Sequence, residues 1–207
     1  MKSFNQQFPL AIILNLLIEN KIYFINETDI TKITSQYCLD LDAFVEKDPS
    51  CHGDLNLLIS SYISHHSIAA YRLSNFLWKK GCRIEAMNVQ EYSKIKTGIE
   101  IHPAATIGER FVIDHGIGTV IGETSIIGNN CYFLQNVILG ASRIVGMAGK
   151  RHPTIGNNVE IGAFSRLFGP IIVGHHVKIS PHSIITNDIP DNSIVIVKNV
   201  KQEIKTL

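Results

Sequence analysis

Hydrophobic and polar residues follow two different rhythms along this chain. From Met1 to about Lys96 apolar residues recur at intervals of three and four, and glycine and proline are scarce, which predicts helices. Ile63, Ala70, Leu73, Phe76 and Leu77 form one such stripe. Trp78-Lys79-Lys80-Gly81 reads as a helix end, with basic residues in the last turn and a glycine beyond it. Asp29 and Asp48 are expected helix starts, and Pro49 suits the first turn after a cap. The run from Pro9 to Ile18, broken by Asn15, reads as a buried helix. A membrane span needs about 20 apolar residues, and no small-residue cleavage pattern of a signal peptide follows the run.

After Gly98 the period changes to six. Ile101, Ile107 and Ile113 hold it; Ile121, Ile127, Phe133 and Leu139 resume it after a shift of two. Ile155, Ile161, Leu167, Val173, Ile179 and Ile185 then keep it without a slip. Glycine often follows directly, at Gly108, Gly122, Gly128, Gly140, Gly156, Gly162 and Gly174. This is a hexapeptide repeat, the signature of a parallel β-helix, with each aliphatic residue pointing inward to stack on its equivalents in neighbouring coils. Glycine is expected at the corners, where backbone is tight or has positive φ. The expected architecture is α+β: a helical domain over residues 1–97, a left-handed parallel β-helix over 98–195 and a tail over 196–207. One segment interrupts the repeat, Ala141 to Lys150. Long loops inside regular solenoids are usually functional or disordered.

Composition sharpens this picture. Isoleucine supplies about 33 of the 207 residues, and much of that excess falls on the rungs of the repeat, where stiff β-branched side chains pack well. The 45% hydrophobic fraction excludes disorder over most of the length. A formal net charge of +1 lacks the basic excess of a nucleic-acid binder. Cys38, Cys51, Cys82 and Cys131 form no CxxC pair and read as free thiols in a reducing compartment. The expected location is the cytoplasm, with no membrane and no nucleic-acid partner.

A β-helix alone does not specify an activity. The strings Glu100-Ile-His-Pro-Ala-Ala105, Ile113-Asp-His-Gly116, Val120-Ile-Gly-Glu-Thr124 and Lys150-Arg-His-Pro153 stand in the order of the serine O-acetyltransferases, which the chain resembles. In the helical half, Glu46-Lys-Asp-Pro-Ser-Cys51 resembles that family's acidic segment. His66, Ala70-Tyr-Arg72, Leu77-Trp78 and Gly81 resemble its HxxxAYRxxxxLWxxG helix. The resemblance spans roughly residues 45 to 195. It implies transfer of an acetyl group from acetyl-CoA to the hydroxyl of L-serine, giving O-acetylserine for cysteine biosynthesis, without a metal.

By this resemblance His115 is the general base and Glu100 its orienting carboxylate. The chemistry is consistent, because a serine hydroxyl is a poor nucleophile until a base near neutral pKa removes its proton, and a carboxylate behind an imidazole stabilises its charged form. Asp48 and Asp114 are the implied partners of the substrate ammonium. Arg151 is the implied clamp on its carboxylate, which suits a planar guanidinium, and His152 touches substrate beside it. Gly140, Ala163 and Lys178 fall at the family's CoA positions. The resemblance also implies a homotrimer or dimer of trimers with sites between subunits. Many members dock onto O-acetylserine sulfhydrylase through a tail ending in Ile. This chain ends in Leu207 and reads Val195-Ile-Val-Lys-Asn-Val-Lys where many members turn at a Gly-x-Pro-Ala-Arg-like segment.

Other readings of the same residues compete. Asp48 can cap a helix, and Lys178 can sit on a solvated face. His102 reads as structural, as does Glu123 within the coil. His175, His176 and His182 read as solvated corners, and Cys51 as an inert thiol. The loop before Arg151 is about two residues longer than is usual in the family and carries Ile144, Val145 and Met147. A related O-acyltransferase with another donor, or with homoserine as acceptor, is the alternative on the same frame. A zinc hydrase of the γ-carbonic-anhydrase type would need a closely spaced histidine partner for His115, and none stands nearby. A silent scaffold would have no need of the polar constellation.

Overall fold

The structure, a computed structural model, describes residues 7–143 and 149–198. Five helices come first: α1 (Gln7–Glu19), α2 (Glu27–Lys47), α3 (Leu55–Ser61), α4 (His65–Lys79) and α5 (Arg83–Thr97), with a 3-10 turn at Pro49–Cys51. Helix α1 buries only one face, through Pro9, Ile13, Leu16 and Leu17, and leaves Phe8, Leu14 and Ile18 exposed. The cap of helix α2 lies three residues before the expected Asp29. Asn26 is its cap, and its side chain accepts the Asp29 N–H at 2.9 Å, so Asp29 lies in the first turn, where an acidic residue favours the helix dipole. Helix α4 begins after Ile63, which is exposed; its buried stripe runs instead through Ile68, Leu73 and Leu77. It ends at Lys79, with Gly81 at φ +85° beyond it, as the glycine signal predicts.

Among the described residues the chain then winds through fourteen short strands: β1 (Glu100–Ile101), β2 (Thr106–Ile107), β3 (Val112–Ile113), β4 (Val120–Ile121), β5 (Ile126–Ile127), β6 (Tyr132–Phe133), β7 (Ile138–Gly140), β8 (Thr154–Ile155), β9 (Glu160–Ile161), β10 (Arg166–Phe168), β11 (Ile172–Val173), β12 (Lys178–Ile179), β13 (Ile184–Ile185) and β14 (Ile194–Val195). All strand pairs are parallel and form three sheets. Sheet A runs β1-β4-β7-β10-β13, sheet B β2-β5-β8-β11 and sheet C β3-β6-β9-β12-β14. The registers stack the hexapeptide residues in three columns. Ile101, Ile121, Leu139, Leu167 and Ile185 align in sheet A. Ile107, Ile127, Ile155 and Val173 align in sheet B. Ile113, Phe133, Ile161, Ile179 and Val195 align in sheet C. These columns form the main core of the β-helix.

The repeated glycines do a different job from positive φ. None of the seven at rung-following positions has positive φ; the left-handed corner positions belong to residues such as Arg110, Asn130, Asn158, His176 and His182. A Cβ on Gly156 would instead lie 2.6 Å from the Gly174 carbonyl oxygen of the next coil. Glycine is needed there for close coil stacking. Asparagine tolerates the left-handed corner because its short polar side chain can bond locally.

The helices dock on the β-helix through a buried ion pair. Arg72 in α4 donates from Nε and Nη2 to both oxygens of Asp40 in α2, each at 2.8 Å. The same guanidinium donates to the Ile107 and Gly108 carbonyls at 3.0 and 2.6 Å, and Asp40 accepts the Phe111 N–H at 2.9 Å. Beside it, the Tyr71 hydroxyl donates to the Ala105 carbonyl at 2.8 Å and accepts from the Ile107 N–H at 3.0 Å. The AYR string of the α4 helix therefore joins the two halves.

All four cysteines are free. No helix among the described residues is long and apolar enough to cross a membrane. Of the loop after β7, residues 144–148 lie outside the described residues, and with them Ile144, Val145 and Met147; in the tail, residues 199–207 do as well.

Candidate active site

The two interruptions of the repeat fall on two edges of the triangular prism. The shift of two residues lengthens the corner between β3 and β4, at the edge joining sheets C and A. The long insertion follows β7, at the edge joining sheets A and B.

His115 stands on the first of these corners. Asp114 stays in the ladder through its N–H to the Phe133 carbonyl at 2.9 Å, and the chain then turns through His115 at φ +58°, Gly116 at +74° and Gly118 at +79°. The turn throws the imidazole outward, leaving its side chain 71% exposed. The Asp114 carboxylate beneath it is oriented at both oxygens. Oδ1 accepts the His115 backbone N–H at 2.8 Å, and Oδ2 accepts the Tyr132 hydroxyl at 2.8 Å. His115 Nε2 lies 3.7 Å from the same Oδ2. Burial, and then the Asp114 carboxylate, push the Tyr132 phenol well above its usual range, so it remains a donor.

Asp48 reaches this neighbourhood from the helical half. Its backbone N–H closes α2 on the Phe44 carbonyl, and its Oδ1 accepts the Ser50 N–H at 2.9 Å, capping the 3-10 turn. Oδ2 accepts the Cys51 thiol at 3.4 Å. Tyr132 and Cys51 each feel both Asp48 and Asp114, so the two carboxylates share one acidic wall. Capping and a site role are thus compatible for Asp48. Burial and the Asp48 hydrogen bond push the Cys51 thiol up to about 11, which keeps it un-ionised and unreactive.

Arg151 and His152 sit on the other edge. Thr124 Oγ1 accepts both of their backbone N–H groups at 3.0 Å, and His152 Nδ1 accepts the Thr124 N–H at 3.2 Å. A Cβ on Gly122 would overlap the His152 ring at Nε2, so the glycine makes room for the ring. Burial, and then the Arg151 charge, hold His152 below the usual imidazole range. The Arg151 guanidinium pairs with Glu123, whose carboxyl is held low by that hydrogen bond. The Gly-Glu-Thr string is therefore the seat of the Arg-His-Pro string 28 residues later.

The remaining expected residues are more dispersed. Glu100 lies at the start of β1, and its carboxylate pairs with Lys94 of α5 at 2.6 Å. Among the described residues, the carboxylate paired with His115 is Asp114, not Glu100. Gly140 ends β7 against the Phe168 ring, and Ala163 lies on the His115 edge further along the solenoid. Lys178 is on sheet C, 3.2 Å from Glu160. His102 accepts the Ala104 N–H at 3.1 Å and meets Trp78 edge-on, a structural role. His175 accepts the Asn157 N–H at 2.9 Å at its corner. Among the described residues no group of His, Cys, Asp and Glu is arranged to hold a metal ion. Sequence reasoning missed Tyr132 and Thr124, and Tyr132 could have been flagged as an aromatic on the outward position beside a rung.

Within one chain, then, His115, Asp114 and Asp48 come together, while Arg151 and His152 are separated from them by the width of sheet A. No family model matches the chain. Curated relatives do. The serine acetyltransferase of Bacillus subtilis is 41% identical over 157 residues, 76% of this chain and 71% of that protein. The Mycobacterium tuberculosis serine acetyltransferase is 38% identical over 157 residues, 76% of this chain and 67% of its own length. Among solved structures, serine acetyltransferase of Neisseria gonorrhoeae in complex with serine superposes with a TM-score of 0.81 at 30% identity, covering 98% of this chain and 85% of that one. The β-helix is left-handed, as in those structures. At 38–41% identity over 76% of the chain, with two thirds or more of each relative covered, the chain belongs to the serine acetyltransferase family.

Proposed function

We propose that this protein transfers an acetyl group from acetyl-CoA to the side-chain hydroxyl of L-serine. The observation that carries the reading is the His115 corner: an exposed imidazole over a doubly hydrogen-bonded carboxylate, next to a second carboxylate from the helical half. Asp48 and Asp114 receive the substrate ammonium on their shared wall. His115 removes the hydroxyl proton as the oxygen attacks the thioester carbonyl carbon. The carbon–sulfur bond breaks, and the sulfur leaves with the proton returned by the imidazolium, giving O-acetylserine and CoA. Asp114 stabilises the charged imidazole from 3.7 Å. Glu100 takes over the orienting role when its carboxylate leaves Lys94.

Arg151 and His152 act on the substrate carboxylate at the His115 corner of a second copy of the chain, which makes a trimer the smallest complete unit. Release of Arg151 from Glu123 frees its fork for that carboxylate. Acetyl-CoA lies along the solenoid between copies, against Gly140, Ala163 and Lys178. CoA supplies the activated acyl group, and the protein supplies base and orientation.

The test is a panel of acyl-CoAs and hydroxy amino acids read by thiol release. Serine with acetyl-CoA is expected to be the best pair, and His115→Ala is expected to lower kcat by about 10²–10⁴-fold with the fold retained. Near-normal turnover in His115→Ala would overturn the reading. A clear preference for homoserine would move it to the alternative acyltransferase.

A further inference from the structure

On the outer face of sheet C, beside the end of α2, lies a cavity of about 350 Å³ lined by Lys47, Asn130, Tyr132, Asn158 and Glu160. That volume is within the range of small-ligand sites. Its hydrogen-bonding inventory is one-sided. Lys47 is half-buried, and its ammonium donates one bond, to the Asn130 carbonyl at 2.8 Å. Among the described residues no carboxylate lies within ion-pair distance of it; Glu46 and Glu160 act on it from further away, and burial lowers its pKa. Two of its three N–H groups remain unspent. The Asn130 amide donates to Asn158 Oδ1 at 2.7 Å, which fixes the Asn158 oxygen and leaves its amide nitrogen with both protons. The Tyr132 hydroxyl is committed to Asp114, so that residue offers the cavity its ring. The Glu160 carboxylate, the acceptor in the wall, pairs through Oε1 with Lys178 at 3.2 Å.

What remains is a set of donors around a positive charge that has no contact ion pair, with an aromatic wall. A half-buried ammonium without a contact counter-ion costs free energy that a bound anion recovers. We propose that this cavity binds a small organic anion, whose carboxylate or phosphate oxygens are received by Lys47 Nζ and Asn158 Nδ2 while its body lies against the Tyr132 ring. The site is separate from the acidic wall of Asp48 and Asp114 on the other side of Tyr132. The opposite sign of charge sorts a cationic group to one side of the ring and an anionic group to the other.

The test is calorimetric titration of the full-length protein with inorganic phosphate and, separately, with malonate, at constant ionic strength. Saturable binding is expected for at least one of them, and the tighter of the two identifies the oxyanion type. Lys47→Met should weaken it at least tenfold. Asn158→Asp keeps the acceptor for Asn130 and tolerates the left-handed φ of +58°, but replaces the donor with a negative charge; it should abolish binding. Lys32→Met removes the same charge from an exposed helix position and should leave binding unchanged. Absence of saturable binding with both anions, or equal affinity in the native, Lys47→Met and Asn158→Asp proteins, would overturn the proposal. None of these readouts depends on acetyl transfer.

Discussion

Replacing Arg72 with methionine should unlock the helical half from the β-helix. The guanidinium makes four hydrogen bonds, two to Asp40 and one each to the Ile107 and Gly108 carbonyls, and both members of the ion pair are buried, with side chains 5% and 1% exposed. Methionine has similar length and no charge, so little volume is lost, and the change isolates the polar network. It leaves the Asp40 carboxylate buried with only the Phe111 N–H among its described partners. Breaking a buried pair from one side costs about 3–5 kcal/mol, roughly a fifth or more of a typical stability of about 5–15 kcal/mol. Asp40→Asn should cost a comparable amount by stranding the guanidinium. The double variant should cost clearly less than the sum, because no buried charge is left without its partner. Urea unfolding followed by circular dichroism on all four proteins gives the cycle. A loss below about 1 kcal/mol in Arg72→Met, or strictly additive costs in the double variant, would refute the assignment of this pair as the joint between the halves. Because Asp48 is carried by the helical half and His115 by the β-helix, the acceptor KM should rise in the single variants.

Two further outcomes follow from burial and close packing. Gly156→Ala places a Cβ 2.6 Å from the Gly174 carbonyl oxygen, against backbone that cannot swing away, and should cost several times more stability than Gly53→Ala. Gly53 has open space around it and incurs only the strain of its +70° φ, about 1 kcal/mol; equal melting temperatures for the two variants would contradict the stacking role. Burial pushes His65 down to about 3, against 6.5 for a free imidazole, so between those values the unfolded chain binds a proton that the folded chain refuses. The stability from this group is complete above pH 6.5 and is lost as pH falls toward 3, by up to about 1.4 kcal/mol per pH unit. His65→Gln should therefore flatten the plot of unfolding free energy against pH by about one proton between pH 4.5 and 6; an unchanged slope would contradict a neutral His65.

The repeat was legible in one dimension because its cause is one-dimensional. Each rung residue must point inward, so Ile121, Leu139 and Leu167 mark sheet A as surely as they mark the sequence. The places where the rhythm breaks were legible for the same reason, since a regular coil has no room for the two extra residues near His115 or for the insertion before Arg151. Cap chemistry was less so. Asp29 and Asn26 are both good caps, and the choice between them depends on which side chain meets the N–H three residues on. Of the two needs expected of the repeated glycines, tight backbone and positive φ, the structure shows the first: the constraint is a coil-to-coil clash with an atom 18 residues away, and only the fold reveals it.

The two-part architecture, the three interior columns and the strings from which a base and acidic partners could be named are all written in the order of residues. Periodicity and local motif order act over short stretches of chain, and those are visible in a linear text. Which charges meet depends on the three-dimensional fold. It paired Glu100 with Lys94, set Asp114 under His115, brought Tyr132 to Asp114 and folded Arg151 onto Glu123. It also put the His115 corner and the Arg151 seat on different edges of the prism. Side-chain electrostatics depends on distances of a few ångströms between residues that the coil brings together from far apart, and no spacing along the chain encodes those distances.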